Sequence, residues 1–190
     1  MIRTFTKLTK YTLYLLIASY ALYGCRTAEE VPPTNNPNTT DPASTNIGID
    51  VSNRQTVVDA YKKEFGSPVP AIGWVGSLDN CQEGTATKAF VDAQLSRINY
   101  YRSMAGIDGS VVFVDSLNRK AQKAALMMTV ANTLNHQPPL TWRCYSTEGF
   151  QAAGRSNLAS NSDTSPDFIT QFMADYGTSN TAVGHRRWIL

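Results

Sequence analysis

An α+β domain is what this sequence predicts, on three observations. Two long stretches carry apolar residues at helical spacing, one ending near Ala105 and one running from Leu117 to Met128. Two short runs, Val111-Val112-Phe113-Val114 and Arg155-Ser156-Asn157-Leu158-Ala159, read as extended chain. Glycine and proline punctuate the stretches between them, and what remains after an export leader and a spacer is one domain long.

The leader comes first. Arg3, Lys7 and Lys10 precede an uncharged run from Tyr11 to Tyr23, too short for an ordinary membrane-spanning helix. The run ends in Leu22-Tyr23-Gly24-Cys25, where small residues before a cysteine resemble a bacterial lipobox, although Tyr23 is bulkier than usual there. Residues 1–24 are therefore expected to be a lipoprotein signal peptide. Cleavage before Cys25 and lipidation of its thiol would tether the chain to a membrane. The expected compartment is the cell envelope, with plain secretion as the alternative. The chain carries 17 basic and 15 acidic residues. Three of the basic ones lie in the leader, which has no acids, so the mature chain is slightly acidic. No basic stripe with interleaved aromatics is present, and nucleic acid is not an expected partner.

Residues 25–54 turn to threonine, asparagine and proline, with Pro32, Pro33, Pro37 and Pro42. Such a composition cannot bury enough apolar surface to offset its ordering entropy, and it reads as a disordered tether. Residues 55–190 form the domain. Its two cysteines, Cys81 and Cys144, are expected to bridge in an oxidising compartment.

Within the domain, Tyr61 to Phe65 reads as a short helix and Gly66 to Gly76 as loop. Thr85 or Thr87 can cap the next helix. Val91, Gln94, Leu95, Ile98, Tyr101 and Ala105 would face inward, and Asn99 and Arg102 would serve as structural hydrogen-bond donors. Asp115 or Ser116 is expected to cap a long helix with a small-residue face of Ala121, Ala124 and Ala125. If that helix persists, His136 projects from its packed side at the C-terminal end, where the helix dipole favours a charged imidazole and Pro138 stops the helix. Ser146 can cap a short helix ending at Gly154. Ser165-Pro166-Asp167 reads as a helix start and Gly177 as that helix's end. Phe168, Phe172 and Asp175 step by four and three, so Asp175 sits at the seam of an apolar stripe, where a carboxylate needs a partner. Gly184 precedes His185, the chain's second histidine, and Trp188-Ile189-Leu190 reads as the start of a strand.

Helix-end His136, Ser156-Asn157-Leu158-Ala159, Phe172-x-x-Asp175 and Gly184-His185-Arg186 occur in that order. Together they resemble the CAP superfamily, or SCP domain, of cysteine-rich secretory, antigen 5 and pathogenesis-related proteins. The resemblance is to the bacterial branch with a Gly-His-Arg segment, and it runs from about Leu95 to Leu190. It implies an α-β-α sandwich with a cleft of two histidines and two acids able to hold a divalent metal. His136 and His185 match the histidines. Asp175 falls where the family has a glutamate in Trp-x-x-Glu, with Phe172 for the tryptophan. Ser156 stands where many members have the other glutamate; Glu148 is a candidate to replace it in space. The chain also ends before the further C-terminal strands that members carry.

The cleft is thus expected to hold His136, Ser156, Asp175 and His185, with zinc or another divalent metal on His136, His185 and Asp175. The leading functional expectation is an envelope-tethered binding module for a lipid, glycan or protein ligand. Whether it is also an enzyme stays open. A metal-dependent hydrolase using the same three residues is the alternative. A serine hydrolase built on Ser156 lacks the second glycine of a nucleophile elbow.

Overall fold

The computed structural model describes residues 14–17, 48–160, 167–177 and 181–190. Cys25, nearly all of the expected signal and most of the tether lie outside the described residues, as do Ser165 and Pro166. Within the expected leader, strand β1 (Tyr14–Ile17) pairs antiparallel with β4 (Asn157–Ser160), Leu16 opposite Leu158. No helix among the described residues is long and apolar enough to cross a membrane.

The first helix is α1 (Arg54–Ala60). Asn53 caps it by accepting the Gln55 amide at 2.9 Å. The expected helix at Tyr61–Phe65 continues it as a wider, π-type turn. The stretch read as loop ends instead in a strand, β2 (Val75–Ser77), which pairs with β3 (Gln82–Thr85). Gly84 makes that hairpin passable. Its φ is +58°, and a Cβ there would lie 2.0 Å from the Val75 carbonyl oxygen. Cys81 and Cys144 form the expected disulfide, tying the hairpin turn to the segment before α4.

Thr87 caps α2 (Lys88–Met104), accepting from the Phe90 amide. The buried face is rotated from the expected one. Gln94 and Ile98 are buried as expected, but Val91, Leu95 and Tyr101 are only half-buried and Ala105 is exposed. Arg97 explains the rotation. Its guanidinium pairs with Asp167, donates to the Phe65 and Ser67 carbonyls at 3.0 Å each, and lies 4.3 Å over the Phe65 ring. A buried cation fully engaged in this way takes an inward position that apolar periodicity alone assigns to the surface.

Asn99 and Arg102 serve as structural donors, as expected. Asn99 exchanges two hydrogen bonds with the Val111 backbone at 2.9 and 3.0 Å, so residues 111–114 find a side chain rather than a strand partner and form no strand. Arg102 donates to the carbonyls of Asp108 and Ile189. Helix α3 (Asp115–Ala131) follows Val114 with no side-chain cap; Asp115 is its first-turn acid rather than its cap. Ala121, Ala124 and Ala125 pack it closely on α4 (Thr147–Ala153), which Ser146 caps as expected.

Strand β4 is the middle of the sandwich. Leu158 joins the core of α3 and α4, while its neighbour Ala159 joins a second core of Phe90, Ile98, Phe168, Ile169, Phe172 and Ile189. Successive strand residues face opposite sides, so one strand buried on both faces separates two helical layers. The second layer contains α2, α5 (Phe168–Ala174) and α6 (Gly184–Ile189). Asp167 caps α5 by accepting the Thr170 amide at 3.0 Å. The expected strand at Trp188 is the last turn of α6. The exposed–buried–exposed order of Trp188, Ile189 and Leu190 suits a strand as well as a helix end, and the Arg187 and Leu190 amides close helical turns on Val183 and Arg186 instead.

Candidate functional site

His136 does not ride on a helix. Asn132 takes a left-handed conformation, φ 51°, and ends α3 at Ala131. The helix-dipole expectation for His136 therefore lapses. What holds the ring is the far end of the neighbouring helix: Nδ1 lies 2.7 Å from the Ala153 carbonyl oxygen. A carbonyl only accepts, so Nδ1 carries the proton and Nε2 bears the lone pair of the neutral ring. Leu134, Asn135, His136, Gln137 and Leu158 line a hollow of about 440 Å³ here.

Asp175 and His185 come together as a pair. Helix α5 stops at Ala174, three residues before the glycine expected to end it, because Asp175 itself adopts φ 49°. That turn points its carboxylate inward, where 1 % of the side chain is exposed. One oxygen accepts from His185 Nδ1 at 2.7 Å and the other from the Arg186 amide at 3.2 Å. This supplies the partner that a carboxylate on the apolar stripe requires. The His185 ring stacks on Phe172, centroids 5.5 Å apart, and 39 % of its side chain remains exposed.

Three further residues brace the pair. Arg186 donates through Nε to the Met173 carbonyl at 2.7 Å and through Nη2 to the Ala174 carbonyl at 3.1 Å, satisfying groups that the end of α5 would otherwise orphan. Asn157 Nδ2 on β4 donates to the His185 carbonyl at 3.0 Å. Val183, just before α6, sits at φ 44°. A β-branched residue there is strained by about 1–3 kcal/mol. Gly184 does not take that role; the positive φ falls on the residue before it.

Ser156 is buried, 6 % exposed, and its hydroxyl makes no hydrogen bond among the described residues. It is not among the residues lining the hollow. Glu148 does not replace the missing acid at the cleft, because it pairs with Lys123 across α3 and α4. That pairing holds the Glu148 carboxyl below its ordinary value and the Lys123 ammonium above its own.

A metal tests the donor set. Both imidazoles are held through Nδ1 by a fixed oxygen, the outer-sphere pattern that orients metal-ligating histidines. Asp175 occupies that outer position rather than a ligating one, since it holds the His185 ring and the Arg186 amide. Among the described residues no three histidine, cysteine, aspartate or glutamate side chains gather as a metal's ligands would. Two imidazoles fall short of the three protein ligands of a catalytic zinc site.

Asn157, Arg186 and Phe172 are the site residues whose roles sequence reasoning missed. All three stood inside the quoted motifs, but only coordinates reveal that they brace His185. The family model described as the cysteine-rich secretory protein family, CAP, matches residues 95–190. No curated protein and no solved structure matches the chain. The match spans half the sequence and includes both histidines, Asp175 and the braces around them, and the chain belongs to the cysteine-rich secretory protein (CAP) family.

Proposed function

We propose that the chain is an exported binding module, tethered to the cell envelope through a lipid on Cys25, that takes its ligand at the cleft edge presented by His136 and His185. The disulfide and the family agree with export, since such bridges persist in oxidising compartments. The anchor rests on the leader and on Leu22-Tyr23-Gly24-Cys25. The ligand class is a lipid, a glycan or a protein surface.

The observation that carries this reading is the way both rings are held. Each is fixed at Nδ1 by an oxygen, His136 where it lines the hollow and His185 with 39 % of its side chain exposed, and each keeps its other nitrogen out of that bond. Such rings recognise a ligand group at low entropic cost. Among the described residues, two parts of a turnover mechanism are otherwise occupied or out of reach. The Ser156 hydroxyl is buried without a base, and both Asp175 oxygens are engaged. A metal-dependent hydrolase is the second reading. It is favoured by the same Nδ1 anchoring and disfavoured by the short ligand set.

Two measurements separate the readings. Isothermal titration with zinc, on the parent and on a His136→Ala/His185→Ala double variant, is expected to give no heat of site binding in either. Stoichiometric binding by the parent that the double variant loses would favour the hydrolase. A screen of ester, peptide and glycoside substrates is expected to show no turnover. Turnover that Asp175→Asn abolishes would overturn the binding-module reading.

A further inference from the structure

A second cavity, of about 580 Å³, lies between the β2–β3 hairpin, the first turns of α2 and the first turns of α3, and shares no lining residue with the hollow at His136. Its size falls in the range of small-molecule sites. The two main walls differ in chemistry. From α2 and the segment before α3 come Phe90, Val91 and Phe113, which are apolar. From α3 come Asn118 and Gln122, four residues apart and so on one helical face, with Gln94 of α2 beside them. A helix face turned toward a packed neighbour is ordinarily apolar. Here carboxamides face an apolar wall across open space.

The charged groups at this cavity cancel. Glu83 and Asp115 oppose Lys88 and Arg119. The lining side chains thus balance in sign, two acids against two bases, while the carboxamides can both donate to and accept from a neutral polar group. We propose that this cavity binds one neutral amphipathic small molecule, its apolar body on Val91 and Phe113, which the fully buried Phe90 backs from the core, and its hydrogen-bonding group on Asn118 and Gln122. This site is independent of the cleft at His136 and His185.

The probe is 6-propionyl-2-dimethylaminonaphthalene, an uncharged apolar ring system with one carbonyl, titrated into the full chain and followed by its emission. Saturable one-site binding with a blue shift is expected. Val91→Trp, which fills the apolar wall, should weaken it at least tenfold, and His136→Ala should leave it unchanged. The pair Asn118→Leu/Gln122→Leu should weaken it about fivefold, the loss of roughly one net hydrogen bond. Decanol should displace the probe at lower concentration than decanoate or decyltrimethylammonium. Gln122→Trp narrows the same space from the opposite wall and decides the matter if Val91→Trp does not fold. Three results would each overturn the proposal: no saturable binding, equal binding by a folded cavity-filling variant, or tighter displacement by either ion than by decanol.

Discussion

On one side of β4, His136 is held by packing. Alanines bring α3 and α4 into close contact, Ser146 caps α4, a disulfide anchors the segment before it, and the ring then finds a helix-end carbonyl. On the other side, His185 is held by polar groups and strained backbone. A buried carboxylate accepts from its ring, Arg186 closes the end of α5, and both Asp175 and Val183 stand in the left-handed region. The first arrangement is apolar and covalent, so its stability depends little on the state of any one charge. The second depends on one carboxylate and two backbone conformations. Two layers of a single sandwich thus fix equivalent side chains by mechanisms that fail under different perturbations.

The sharpest way to break this contrast is to remove the disulfide. Cys81→Ser/Cys144→Ser opens a closure of 63 residues, and the chain-entropy relation puts the loss at about 4 kcal/mol. Thermal unfolding should show the drop. The bridge ties the β2–β3 turn to the segment before α4, whereas Asp175 and His185 sit where α5 meets α6, so the imidazole nitrogen shifts of His185 should be unchanged in the folded fraction. A His185 spectrum that collapses with the disulfide would mean the layers are not separately held.

Asp175→Asn attacks the other layer. It removes the charge from a buried acceptor of two hydrogen bonds and should cost about 2 kcal/mol. It should also loosen the ring, seen as mixed Nδ1–H and Nε2–H tautomers of His185 in nitrogen-15 spectra, with His136 unaffected. A single retained tautomer for His185 would show that Asn157 and Phe172 hold the ring without the carboxylate.

Val183→Gly should act in the opposite direction. Glycine adopts φ 44° without the β-branched penalty, so the variant should gain about 1 kcal/mol despite the greater freedom of its unfolded chain. A lower melting temperature would mean that side-chain packing at Val183 outweighs the strain.

The smallest effect concerns pH. The Lys123 hydrogen bond and charge hold Glu148 below its ordinary value of 4.5. A depressed carboxylate contributes stability that is present above 4.5 and lost as pH falls through its lower folded value. The pair is exposed, so the contribution is slight. Glu148→Gln should flatten the acid limb of the stability profile of the α3–α4 layer, and an unchanged limb would remove the pair from the account. Lys123, raised above 10.5, keeps its part at neutral pH and loses it only as pH rises through its folded value.

Much of the architecture was legible from residue types. Thr87 and Ser146 are helix caps because their hydroxyls accept backbone amides at helix starts, a chemistry that needs no tertiary partner. The alanine face of α3 and the two cysteines of the domain were equally plain. The β2–β3 hairpin was not. Gln82-Glu83-Gly84-Thr85 has no apolar alternation to mark a strand, and its pairing rests on a glycine passing under a carbonyl. Arg97 was hidden for the opposite reason: its inward position depends on Asp167, 70 residues away.

The order of His136, Asn157, Asp175 and His185, the demand of a carboxylate on an apolar stripe for a partner, and the membership of one family were determined by local chemistry and spacing, and those survive in any one-dimensional reading. Tertiary structure decided where helices stop and which groups meet. Asp175 ends α5 by a left-handed turn that no breaker residue announces, and Asn132 ends α3 in a conformation asparagine tolerates but does not dictate. Asn157 braces His185 because β4 brings it there, and Arg186 does so because the end of α5 meets it. Such choices depend on long-range contacts that must satisfy every buried polar group at once, and that condition has no counterpart along the chain alone.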